Sequence, residues 1–260
     1  MEFCEALAVY HQHLIFVRQC LDHLPKSCTP PLVLRAWEKG GLLVPDWSAE
    51  GNISRLWINV CSHMAAGAVL AYGLALPLTH YLRPEGISPA NVAVALLLHD
   101  AFKRIEQERV AAAERQGEDR AEVNQQAESD AGLFLSEVGF EESIVTMAAT
   151  TGDFGIRKIL ARKKEASLLG CKLAFYVDCC ISGRKITTYK KRFDALLPCF
   201  EPGGIYHHID PAFRREFGRG HRETYDSVVL PLQQELAEFI GFTGNPDELP
   251  LHYAPQFVQG

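Results

Sequence analysis

The chain has 260 residues, 47% of them hydrophobic and 22% charged, which is the composition of an ordinary globular protein long enough to bury a substantial core. Its net charge of −6 argues against a broad nucleic-acid-binding surface. The apolar runs stop short of the ~20 residues of a membrane span, and the start Met1-Glu-Phe-Cys-Glu5 lacks the basic residues of a secretory signal.

The periodicity is helical nearly throughout. Residues 2–24 read as an amphipathic helix ended by Pro25, and residues 30–39 as a shorter one closed by Gly40-Gly41. After a loop with Pro45 and Gly51, a long apolar helix is predicted over residues 53–76. Ser88-Pro89 signals a helix start, with Ser as N-cap and Pro at the first helical position. The helix it opens is expected to carry His99, Asp100 and Lys103. Residues 104–126 are strongly charged with a break at Gly117; residues 127–138 resume the helical pattern and Gly139 caps it. Helices are further predicted at 141–149, 165–181 and 188–197, with a loop at 150–155. The Pro/Gly-rich stretch 198–204 reads as a boundary, followed by helices at 211–217 and 222–240 and a tail of about twenty residues. No run alternates with period two, so the fold class is all-α.

Eight cysteines lie scattered at 4, 20, 28, 61, 171, 179, 180 and 199, with no CxxC pair. A disulfide framework belongs to small secreted chains, so these read as mostly buried, reduced thiols in a cytoplasmic protein.

The most informative dipeptide is His99-Asp100, at the end of the apolar run Val92-Ala-Val-Ala-Leu-Leu-Leu98. An ionised carboxylate leaving a buried stretch is costly without a positive partner. A divalent metal is such a partner, and imidazole with carboxylate is a good ligand pair for one. His63 and Asp178 also stand on apolar stretches. Taken singly, His63 reads as a core histidine and Asp178 as a turn cap or a partner of Lys172 or Arg184. Together the four read His…His-Asp…Asp, and a shared cation accounts for all of them.

That order resembles the HD superfamily of metal-dependent phosphohydrolases. Leu96-Leu-Leu-His-Asp-Ala-Phe-Lys103 looks like the family's "LLHDxxK" segment, and Trp57-Ile-Asn-Val-Cys-Ser-His63 is similar to its first-histidine helix. Lys172-Leu-Ala-Phe-Tyr-Val-Asp178 looks like the segment of its last aspartate, and residues 183–193 resemble the stretch after that aspartate. The resemblance covers roughly residues 52–200. It implies an HD-domain-like helical bundle at 51–200, with a helical extension at 1–50 packed on it and a C-terminal helical extension and tail at 201–260. The terminal helices either cover the core or form a homodimer interface.

By resemblance His63, His99, Asp100 and Asp178 would hold one divalent ion (Mn, Fe, Ni, Zn or Mg). Water so activated would cleave a phosphate ester or phosphodiester of a nucleotide-like small molecule. Asp100 would orient or deprotonate the water, and Lys103 would neutralise phosphate charge. Members with two metals carry further histidines between the His-Asp pair and the last aspartate; this chain has none, Glu128 stands where one is expected, and Thr150–Asp153 near another. A single-metal site is the expectation, with Glu128 or Asp153 as an outer group or a solvated acid. Among Arg184, Lys185, Lys190, Lys191 and Arg192, Arg184 is the best candidate for phosphate recognition and the rest read as a solvated face. Arg55 is uncertain in phase, and His207-His208 and His221 lie outside the resemblance. The rival class is a non-catalytic metal- or nucleotide-binding regulatory domain.

Overall fold

The computed structural model describes residues 3–48, 52–161, 168–204 and 206–259. In chain order, α1 (Phe3–His23) and α2 (Pro31–Lys39) precede a two-stranded antiparallel ribbon, β1 (Asp46–Trp47) with β2 (Ile53–Arg55). Then come α3 (Ile58–Ala75), the short α4 (Thr79–Leu82), α5 (Pro89–Leu98), α6 (Lys103–Gln116) and α7 (Arg120–Val138). The helices α8 (Glu142–Ala148), α9 (Ile156–Ala161) and α10 (Leu169–Asp178) lead to a second ribbon, β3 (Ile181–Ser182) with β4 (Lys185–Ile186). The chain closes with α11 (Tyr189–Phe200), α12 (Ile209–Phe217), α13 (His221–Ile240) and α14 (Leu249–Tyr253). The fold is all-α, as its periodicity predicts.

Three of these helices lack a polar face and must be enclosed by others. Every residue from Val92 to Leu98 of α5 and from Leu169 to Val177 of α10 is buried, and α3 is buried along most of its length. They pack on one another, with α1 and α14 laid over α3, α2 and α8 over α5, and α13 over α10. By length and hydropathy alone α3 would pass for a membrane span, contrary to the expectation that no run is long enough. Its 18 residues are instead a core helix, 72% of that window being buried inside the protein. Ser88 caps α5 as predicted: its Oγ accepts from Asn91 N–H at 3.2 Å, while Asn91 Oδ1 accepts from Ser88 N–H at 2.9 Å.

Several boundaries differ from the sequence expectation. The predicted apolar helix at 53–76 starts only at Ile58, because Ile53–Arg55 pairs with Asp46–Trp47 and the Trp57 indole Nε1–H donates to Asp46 Oδ2 at 2.8 Å. The helix starting at Arg120 is capped by Asp119, whose Oδ1 accepts from Ala121 and Glu122 N–H. The start predicted at Glu165 and the loop residue Gly51 lie outside the described residues. The predicted C-terminal tail is folded: α14 packs on α3, Val258 is fully buried, and Gln259 bridges to Ile186.

The difference that shapes the site is at His99. The helix expected to run through Lys103 ends at Leu98, residues 99–102 form a turn, and Lys103 opens α6. The cause is competition for backbone groups. Trp37 Nε1–H takes the Leu97 carbonyl at 2.6 Å, so Ala101 N–H closes a tighter bond to Leu98 O at 2.9 Å. Gly40 lies against the same turn: a Cβ there would sit 1.9 Å from Ala101 O, so only glycine fits.

Replacing Trp37 by Phe leaves the buried Leu97 carbonyl without its donor. We expect a loss of about 1–3 kcal/mol in urea unfolding, together with weakened metal retention, because the 99–102 turn loses its brace. An unchanged unfolding midpoint would show that the bond does not hold the turn.

Candidate metal centre

The two histidines reach one point from different helices. His63 lies in the second turn of α3, His99 at the C-terminal end of α5, and Asp178 ends α10. His99 Nδ1 lies 2.8 Å from Leu96 O, and His63 Nδ1 lies 3.2 Å from the carbonyl of Gly183 in the β3–β4 turn. A carbonyl oxygen only accepts, so each Nδ1 carries a proton and each ring turns its Nε2 inward. Gly183 makes this turn at φ 59°, a left-handed conformation that favours glycine.

Both Nε2 atoms face one carboxylate oxygen. Asp178 Oδ1 is 3.0 Å from His63 Nε2 and 3.2 Å from His99 Nε2. These three acceptors lie within 4.8 Å of one another. His99 Nε2 is buried and makes no hydrogen bond despite its closeness to Asp178. Two lone pairs and a carboxylate oxygen repel unless a cation lies among them. Ligand bonds of about 2.0–2.2 Å put neighbouring donors roughly 3 Å apart, which is the spacing of each histidine from Asp178. The backbone carbonyls that fix both ring tautomers are the usual outer partners of metal-bound histidines. The trio can therefore hold a metal ion.

Electrostatics agree. Burial disfavours a charged His99, but the Asp100 and Asp178 carboxylates outweigh it and push its pKa up to about 9. Burial likewise opposes the Asp178 charge, yet His99 and His63 hold its carboxyl well below the usual range. In the metal-free protein a proton on His99 takes the place of the cation.

Asp100 stands beside the trio rather than inside it, with Oδ2 3.7 Å from His99 Nε2. Lys103 does not follow His99 by one turn of a single helix, because the chain turns between them. Its ammonium still faces the same cavity, paired to Glu106 Oε1 at 2.7 Å, and both residues are half-buried. Burial opposes the Lys103 charge, but Glu106, Tyr206 and Asp100 raise its pKa well above the ordinary value.

The cavity has a volume of about 360 Å³ and is lined by the trio, Asp100, Lys103, Glu106, Glu128, Asp153 and the rings of Phe193, Phe200 and Tyr206, among others. Glu128 and Asp153, candidates from sequence, both face it. Burial and the Asp153 carboxylate raise the pKa of Glu128 well above the usual carboxylate range, whereas His221 and Tyr225 lower that of Asp153 against its own burial. His221 Nε2 donates to Asp153 Oδ1 at 3.0 Å, so this histidine outside the resemblance belongs to the site. No periodicity or motif marks it; it opens α13 after Gly220.

Arg192, read as part of a solvated face, is drawn in as well: it donates to Ile181 O and its Nη2 is 3.9 Å from Asp178 Oδ1. Lys172 pairs with Glu235 at 2.8 Å and not with Asp178. His208 is half-buried; burial and Arg120 push its pKa down to about 4. The eight cysteines are all free thiols, six of them buried.

No protein-family model, curated protein or solved structure matches the chain.

Because His99 is protonated below about pH 9 in the metal-free protein, metal uptake at pH 7 must release that proton. Apparent affinity is expected to rise with pH up to about 9 and then level off. The folded pKa of His99 lies above its unfolded value, so this group stabilises the metal-free fold at low pH and ceases to as pH rises through about 9. Calorimetry in buffers of different ionisation enthalpy counts the protons; none released at pH 7 would contradict the trio as the binding site.

Proposed function

We propose that the chain is a metal-dependent phosphohydrolase of the HD type, acting on a phosphate ester or phosphodiester of a small, nucleotide-like molecule. The observation that carries this reading is the convergence of His63 Nε2, His99 Nε2 and Asp178 Oδ1 beside Asp100 and Lys103 in one cavity. A fold alone does not specify chemistry; the groups in the site do.

His63, His99 and Asp178 would hold the ion, with Asp100 next to them. Two imidazole donors favour Mn²⁺, Fe²⁺, Ni²⁺ or Zn²⁺ over Mg²⁺. A bound divalent ion supplies Lewis-acid activation of water and of a phosphoryl oxygen. The chain's own groups do the remainder. Asp100, 3.7 Å from His99 Nε2 and outside the trio, is free to orient the attacking water and accept its proton. Lys103 presents a permanent positive charge to the phosphoryl oxygens as their charge grows, and Glu106 holds its ammonium in place. Arg192, tied to Ile181 O, steadies Asp178 from the other side. A cavity of about 360 Å³ suits a small molecule, and the aromatic rings of Phe193, Phe200 and Tyr206 offer a flat moiety a surface.

The reading is tested with p-nitrophenyl phosphate, bis(p-nitrophenyl) phosphate and a set of nucleotides, each with added Mn²⁺, Fe²⁺, Ni²⁺ or Zn²⁺. Turnover is expected with at least one, abolished in Asp100→Ala. Lys103→Met is expected to lower kcat about a hundredfold at unchanged metal content. Metal and nucleotide binding with no turnover anywhere would instead support a regulatory binding domain.

A further inference from the structure

The charges lining the cavity are not mixed evenly. On the His99 side stand Asp100, Glu106, Glu128 and Asp153, linked through Lys103 and His221. Apart from Asp178 itself, these are all the carboxylates that line it among the described residues. The His63 side is different. There the lining residues are His13, Arg55, Asn59, Val60, Gly183 and Arg184, with no acid among them.

Contacts fix Arg184 and His13 near His63, and Arg55 shares the lining with them. Arg184 follows Gly183, whose carbonyl accepts from His63 Nδ1. His13 Nδ1 lies 2.8 Å from the hydroxyl of Ser62, the neighbour of His63. Burial and Arg184 together lower the pKa of His13, which leaves the two arginines as the fixed charges of this end.

Neither arginine makes an ion pair among the described residues, although most others do. Arg104, Arg109, Arg157, Arg192, Arg214 and Arg222 each face a carboxylate within 4.0 Å. The acid nearest to Arg55 in the ribbon, its cross-strand partner Asp46, is taken by Trp57 Nε1–H at 2.8 Å and by Arg104 Nη2 at 2.7 Å. Both guanidiniums instead lie over buried rings. Arg55 Cζ is 3.9 Å from the centre of Trp57, and Arg184 Cζ is 5.8 Å from that of Phe16. Stacking holds a planar guanidinium and leaves its N–H edge open, and that fork is suited to a phosphate.

We propose that Arg55 and Arg184 form a second anion subsite at the His63 end of the cavity. It would accept a phosphoryl group other than the one being cleaved. The substrate is then a phosphoric ester with at least two phosphoryl groups, and its uncharged part points away from the two arginines. This deepens the phosphohydrolase reading and rests on it for the word substrate. The anion subsite itself does not depend on turnover.

The test separates the two. Orthophosphate, pyrophosphate and fructose 1,6-bisphosphate are titrated by calorimetry into the full chain after chelator treatment, so that no metal bridges the anion. Pyrophosphate or the bisphosphate is expected to bind at least about tenfold tighter than orthophosphate, and which of them does reports the spacing of the two groups. Arg55→Gln and Arg184→Gln are each expected to remove most of that preference, and the double variant all of it. Both side chains are exposed, so the variants should keep their far-UV dichroism and metal uptake. Equal binding of all three anions, or an undiminished preference in the double variant, overturns the subsite. A preference that survives in a protein without turnover would instead overturn the hydrolase reading alone.

Discussion

Two imidazole nitrogens and one carboxylate oxygen converge inside this protein, each nitrogen about 3 Å from the oxygen, and the arrangement calls for a cation or a shared proton among them. The rings of His63 and His99 cannot rotate to relieve the repulsion, since each Nδ1 is tied to a main-chain carbonyl. Asp178 cannot withdraw either, because it ends a helix whose other residues are all buried. The three helices that supply these side chains are the ones without a polar face, so the atoms that could hold a metal stand on buried elements of the core. A site built on such supports is held more closely than one on loops.

The turn at residues 99–102 is the second consequence of this arrangement. Had α5 continued, Asp100 and Lys103 would project from the same cylinder as His99, about 100° and one turn away. The break lets His99 bend back onto Leu96 O, leaves Asp100 beside the trio, and starts α6 at Lys103. Trp37 and Gly40, from the N-terminal part of the chain, enforce it. The N-terminal helices therefore shape the site, and α13 does so from the other end through His221.

Much of this was legible in the sequence. A histidine and an aspartate at the end of seven apolar residues marked a buried polar pair, and His63 and Asp178 on apolar stretches pointed to its partners. Hydropathy periodicity gave the all-α class and most helices. What escaped depends on long-range contacts. Arg192 looked like one of several basic residues on a face, and only the packing of α11 against β3 turns it toward Asp178. His221 stands 68 residues from the Asp153 it bonds, and no spacing signal marks it. The helix stop at Leu98 came from the Trp37 N–H, a competitor that no local pattern reveals. Short strands of two or three residues are likewise set by pairing and not by alternation.

The claim on which the rest depends is that these three atoms share a cation, and locating the ion tests it most directly. Crystals of the chelator-treated protein soaked in Mn²⁺ would be measured for anomalous scattering. A single strong peak about 2.0–2.3 Å from His63 Nε2, His99 Nε2 and Asp178 Oδ1 is the predicted result. A peak elsewhere, or none while the trio keeps its geometry, would contradict it and reduce the cluster to a proton-sharing core.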